Sequence, residues 1–203
     1  EAELGRGSMG VVLRALDLTL KRPVAIKMLR QYSRGRPEAA AQLLKEAQLV
    51  AGLKHPNIVQ IHTAFAEGDD LVLVFEYVAG RPLSEVLSDF HHLPLRDAQG
   101  IVRQAAAALD HAHAGRVIHR DLKPANIMVQ ADGKVLVMDF GLAHQVRRSA
   151  SRETSAASWG SPAYMAPEQE LGTVSAASDI YALGACFYEV VTGRTPFNGS
   201  DAL

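Results

Sequence analysis

The chain has 203 residues, 48% hydrophobic and 21% charged, with a formal net charge of -1, enough to bury a sizeable core and with no global field for nucleic acid. Its single cysteine, Cys186, excludes a disulfide framework and a cysteine zinc cluster, so a reducing, cytoplasmic setting is expected. No apolar run approaches membrane-span length, and Glu1-Ala2-Glu3-Leu4 is no signal peptide; an anchor outside this segment is left open.

The first element pairs Gly5, Gly7 and Gly10 in a G-x-G-x-x-G-x-V spacing with strand-like Val11-Val12-Leu13. Glycines let backbone amides approach phosphate oxygens with no Cβ in the way. Alone, the same spacing suits a glycine-rich hairpin turn or a dinucleotide fingerprint, although no helical pattern follows at once. Val24-Ala25-Ile26-Lys27 reads as a strand ending in a lysine. Pro37 then opens a helical run, 38–53, with Leu43, Leu44, Ala47, Val50 and Ala51 at helical spacing and Glu46 on a neighbouring face.

His55-Pro56-Asn57-Ile58-Val59 predicts a proline turn and the start of another strand. Leu71 to Val78 reads as a buried strand running into the turn-forming connector Ala79-Gly80-Arg81-Pro82. Helical spacing follows over 84–87 and 96–113, where Ile101, Ala105, Ala108, Leu109 and Ala112 make one small-residue face. His91, His92, His111 and His113 lack carboxylate or cysteine partners at ligand spacing and are not read as a metal site.

The most informative stretch is His119-Arg120-Asp121-Leu122-Lys123-Pro124-Ala125-Asn126, followed by Asp139-Phe140-Gly141. Between them, Ile127-Met128-Val129 and Val135 to Met138 flank Ala131-Asp132-Gly133-Lys134, the turn chemistry of a tight hairpin. A hairpin brings its ends together, which places Asp121 and Asn126 beside Asp139. That arrangement holds a divalent metal against a polyphosphate while a carboxylate addresses an incoming hydroxyl.

These strings resemble the catalytic and metal-binding loops of eukaryotic-type (Hanks-type) serine/threonine protein kinases, a signature set that is a general reference motif. The resemblance implies an α+β, bilobal fold: an antiparallel sheet lobe with the glycine-rich loop and helix C over 1–77, and a mainly helical lobe over 78–203. It implies Asp121 as catalytic base, Lys123 on the transferring phosphate, and Asn126 and Asp139 on Mg²⁺. Lys27 would meet the α- and β-phosphates of ATP, with Glu46 as its ion-pair partner. Leu4, Gly5, Gly7, Gly10, Val12, Ala25, Phe75, Glu76, Val78 and Met128 would bind the nucleotide, Phe75 as gatekeeper and Leu83 sharing the adenine sandwich. Val50, Ile61, His119 and Phe140 would stack as a column between the lobes, which makes His119 structural.

The segment 142–158, with Arg147, Arg148 and Arg152 among many hydroxyls, resembles an activation loop. Thr154 or Ser155 is the expected autophosphorylation site, gripped by Arg120. Gly160 to Glu168 resembles the substrate-docking segment, with Ser161 near Lys123, and Asp179 resembles the aspartate that braces the catalytic loop. The implied partners are protein substrates with serine or threonine acceptors and a second copy of the chain for autophosphorylation. Ala125 and Pro82 stand where arginine-directed kinases tend to carry acids, so weak preference for basic substrates is expected. The chain starts inside the first strand and stops before the last helices of such a lobe, so an incomplete C-terminal lobe is expected. Bacterial relatives are the nearest in style. A nucleotide-binding pseudokinase is the rival reading, against which stand the intact Lys27, Asp121, Asn126 and Asp139. A small-molecule phosphotransferase is another, against which stand Lys123-Pro124 and Ala166-Pro167-Glu168.

Overall fold

A computed structural model describes residues 2–7, 10–29, 37–141 and 162–197. Strands β1 (Ala2–Gly7), β2 (Gly10–Asp17), β3 (Arg22–Leu29), β4 (Ile61–Glu67) and β5 (Asp70–Glu76) form one antiparallel sheet in the order β1-β2-β3-β5-β4. Apolar residues of β3 and β5 fill the sheet centre, where Val24, Leu29, Leu71, Leu73 and Phe75 are buried. Helix α1 (Pro37–Ala51) packs against β4 with Leu43, Ala47 and Val50, positions four and three apart that fall on one face.

Below the sheet, β6 (Gly80–Pro82), α2 (Leu83–Phe90) and α3 (Leu95–Ala114) precede a 3-10 turn (Pro124–Asn126) and the hairpin β7 (Ile127–Gln130) and β8 (Val135–Val137). Then come a 3-10 turn (Pro162–Tyr164), a short α4 (Pro167–Glu170) and α5 (Ala176–Thr192). Helix α3 packs on both α5 and β8, with Ala98, Ala105, Ala108 and Ala112 fully buried. Small side chains on that face bring the helix close to its neighbours, as the spacing predicts. Gly193 ends α5 in a left-handed turn, φ +71°, its amide returning to the Glu189 carbonyl.

Two local readings are corrected. Ile58 and Val59 do not open a strand of the large sheet; Ile58 bridges Val137 in parallel, and the Val59 amide bonds the Val137 carbonyl at 2.9 Å. The turn after α1 is thereby stitched to the β7–β8 hairpin. Gly80–Pro82 is no mere connector, because it pairs with β7. Glycine is needed there: a Cβ on Gly80 would lie 2.7 Å from the Val129 carbonyl oxygen.

Candidate active site

Between the sheet and the helices lies a cleft of about 420 Å³ lined by Leu4, Gly5, Val12, Ala25, Phe75 and Met128, with Lys27 and Asp139 also at its wall. Leu83, expected in the adenine sandwich, is instead 1% exposed in the core and lines no part of the cleft. Its place at the wall is taken by Pro82, together with Met138 and Val59, which only the tertiary arrangement brings there. Glu85, in the first turn of α2, adds a carboxylate that the sequence reading missed. At the connector, the Glu76 amide is committed to the Gln60 carbonyl at 2.9 Å and the Val78 carbonyl accepts the Gly80 amide.

The hairpin brings its ends together as expected: the Met138 amide bonds the Asn126 carbonyl at 3.0 Å. Asn126 Nδ2 donates to the Asp121 carbonyl at 2.7 Å. That commits the nitrogen and leaves Oδ1 as the acceptor atom of the side chain. Lys123 Nζ lies 3.1 Å from Asp121 Oδ2, and Asp121 is buried. His119 and Phe140, both buried, pack with ring centroids 4.7 Å apart and planes tilted by 55°, and Val50 and Ile61 are buried as well.

Lys27 takes a different partner from the one expected. Its Nζ bonds both carboxylate oxygens of Asp139 at 2.8 Å. Glu46 lies instead 3.7 Å from Arg120 Nη1. Burial alone would raise the Asp139 pKa, but the Lys27 ammonium, with smaller help from His119 and Lys123, holds the carboxyl below its usual range. Lys27 is thus the counter-ion of Asp139 in this structure.

The catalytic loop is fixed by its backbone. Asp179, 1% exposed on α5, accepts the His119 amide at 2.8 Å and the Arg120 amide at 2.9 Å on its two oxygens, and His113 Nε2 lies 2.7 Å from Oδ2. Arg120 itself sits in the left-handed region, φ +70°, which sets the direction in which the chain leaves toward Asp121. Asp139 is also left-handed, φ +63°. Both loops therefore hold strained backbone that their surroundings fix. Tyr164 Oη donates to Glu189 at 2.6 Å, and Ser178 Oγ donates to Glu168 at 2.8 Å, tying the docking segment to α5. Thr154, Ser155 and Ser161 lie outside the described residues.

The protein kinase domain family matches residues 1–203, and the chain belongs to that family. It is 42% identical over 203 residues to serine/threonine-protein kinase PknB of Mycobacterium leprae, covering 98% of this chain and 33% of the relative. It is 40% identical over 206 residues to serine/threonine-protein kinase PknA of Mycobacterium tuberculosis, covering 98% and 48%. To serine/threonine-protein kinase PrkC of Bacillus subtilis it is 39% identical over 201 residues, covering 98% and 31%. The chain thus spans less than half the length of these curated relatives. The bilobal kinase fold and the serine/threonine kinase kinship expected from the sequence hold. Among the described residues no helix is long and apolar enough to cross a membrane.

Proposed function

We propose that the chain transfers the γ-phosphoryl group of Mg²⁺-ATP to serine or threonine hydroxyls of proteins, its lobes meeting at Tyr77 and Val78. The observation that carries this reading is the convergence of Lys27 and Asp139 at the wall of an apolar cleft, with Asn126 and the Lys123-Asp121 pair in the loop that leads into the hairpin ending at Asp139. The donor set fits the metal: Mg²⁺ takes hard oxygen ligands and needs only one or two from the protein besides phosphates and water. Asp139 and the Oδ1 of Asn126 would supply them. The cleft walls Val12, Ala25 and Met128 fit a flat apolar ring, and the Glu76 carbonyl and Val78 amide fit its polar edge.

When bound, Mg²⁺-ATP supplies the transferable phosphoryl group and neutralises its charge. The acceptor oxygen bonds the γ-phosphorus, the bond to the β-γ bridging oxygen breaks, and ADP leaves. Asp121 orients the hydroxyl and receives its proton. Lys123 neutralises the transferring oxygens, and Lys27, once released from Asp139, binds the α- and β-phosphates. Its partner then becomes Glu46, which must leave Arg120. Positioning and charge neutralisation supply most of the acceleration.

Control by phosphorylation at Thr154 or Ser155 belongs to the same reading. Arg120 Nε is buried without a hydrogen-bond partner among the described residues, so its guanidinium has capacity for a further anion. A second copy of the chain would deliver that phosphate. With Ala125 and Pro82 offering no charge, a weak preference for basic substrates follows. The test is phosphate transfer from ATP to a generic protein and to the chain itself, compared with Asp121→Asn, with the modified sites mapped. Transfer lost in Asp121→Asn supports the reading; ATP binding with no transfer by the unaltered chain makes it a pseudokinase. Absence of phosphate at both Thr154 and Ser155 removes the regulatory part.

A further inference from the structure

Gln169 is nine-tenths buried at the third position of α4, a four-residue helix with no enzymatic role in the reading above. Its side-chain amide is oriented without ambiguity. Oε1 accepts the Ala166 amide at 3.0 Å, and Nε2 donates to the Arg120 carbonyl at 3.2 Å. Flipping the group would set nitrogen against an N–H and oxygen against a carbonyl.

The Arg120 carbonyl belongs to the peptide unit that enters Asp121. The N–H of that unit points to His119 Nδ1 at 3.3 Å. His119 Nε2 faces the Met138 carbonyl at 2.9 Å. A carbonyl only accepts, so Nε2 carries the hydrogen and Nδ1 is the acceptor. The tautomer and the bonds are mutually consistent, and one chain of hydrogen bonds runs from Gln169 through the peptide before Asp121, through His119, to the residue before Asp139.

We propose that Gln169 is a positioning residue: it fixes the plane of the Arg120–Asp121 peptide and so couples the Pro167–Glu170 segment to the orientation of the Asp121 carboxylate. Asp179 holds the amides of His119 and Arg120, neither of which belongs to this peptide unit. Gln169 alone among the described side chains donates to it. Arg120 is left-handed, so its ψ is the torsion through which a loosened peptide would swing Asp121. This assignment rests on the phosphotransfer reading for its consequence in turnover, and on the geometry alone for its consequence in the backbone.

The experiment compares the full chain with Gln169→Glu and Gln169→Met. Gln169→Glu keeps the acceptor for the Ala166 amide and loses the donor to Arg120; Gln169→Met loses both. Two quantities are read: amide hydrogen exchange resolved at Asp121, His119 and Arg120, and kcat with KM for ATP-Mg²⁺. Both variants are expected to exchange the Asp121 amide about tenfold faster, with His119 and Arg120 still protected by Asp179. They should lose about tenfold in kcat, with KM for ATP changed by less than about twofold. Unchanged Asp121 exchange, or exchange raised equally across α4 and the whole loop, overturns the assignment and leaves Gln169 a helix cap. Faster Asp121 exchange with kcat intact also overturns it. If the unaltered chain transfers no phosphate, the phosphotransfer reading falls, while the exchange at Asp121 still decides whether Gln169 fixes the peptide. Should one variant not fold, the other carries both readings.

Discussion

Lys27 Nζ sits 2.8 Å from each carboxylate oxygen of Asp139, so the lysine occupies the charge that a metal would claim. If Asp139 holds the metal as proposed above, a divalent cation displaces the lysine. Lys27→Met is therefore expected to move two quantities in opposite directions. Mn²⁺ binding to the nucleotide-free chain, followed by titration calorimetry, should tighten by about tenfold because Asp139 no longer carries an ammonium. Phosphate transfer should fall by about 100-fold or more, because the ATP phosphates lose their cation. Metal affinity that weakens in Lys27→Met would show that the pair does not compete.

Asp179 makes a second case in which structure and turnover separate. Its two oxygens accept the His119 and Arg120 amides, with His113 on the same carboxylate. Asp179→Asn turns one acceptor into a donor aimed at an N–H, which costs about 1–3 kcal/mol of stability. The left-handed Arg120 would relax and carry Asp121 with it. Transfer is expected to fall by about 100-fold while ATP affinity stays within about threefold, since Asp179 does not line the cleft between sheet and helices. Equal losses in both would show that the cleft itself had collapsed.

The hairpin from Asn126 to Asp139 was legible because its chemistry is written in consecutive residues and its register is set by a four-residue turn. The partner of Lys27 was not. Whether Glu46 or Asp139 reaches it depends on how far α1 lies from the sheet, a tertiary distance that helical periodicity leaves open. Leu83 was misplaced for a related reason: it begins α2, and helical geometry turns it into the core while Pro82 stays at the wall. Gly80 hid a strand because glycine reads as a turn, whereas here it admits the Val129 carbonyl. Gln169 carried no signal at all in one dimension; its value lies in a carbonyl 49 residues away.

Stability should depend on pH through His55. Its ring stacks on His111 with centroids 5.1 Å apart, and its Nδ1 accepts the Asn57 amide at 3.2 Å, which requires that nitrogen to be unprotonated. Burial first, and the neighbouring His111 second, push its pKa below the ordinary histidine value. The folded pKa is depressed, so between it and the unfolded value near about 6.5 the unfolded chain binds the extra proton. Stability is then full above that window and is lost as pH falls through the folded pKa. Melting temperature should drop between pH 7.5 and 5.5, and His55→Phe should shrink the drop. His62, depressed chiefly by burial, adds in the same direction, so some slope should remain in the variant. An identical slope in His55→Phe would assign the effect elsewhere.

Phe75 tests the cleft from its inner wall. It pairs with Ala25 of β3 and Ile61 of β4, is 8% exposed, and still lines the cleft beside Met138 and Val59. One side chain thus serves both the core and the binding surface. Phe75→Ala should cost about 3–5 kcal/mol, the range for deleting a buried aromatic, and lower the melting temperature accordingly. The same deletion removes the wall and enlarges the cleft of about 420 Å³. ATP carrying a bulky substituent on its exocyclic amine should therefore bind Phe75→Ala better than the unaltered chain, measured by displacement of a fluorescent nucleotide. Lost stability with no gain for the enlarged nucleotide would make Phe75 a core residue alone; a gain with no lost stability would mean that the site collapses around the smaller side chain only when empty.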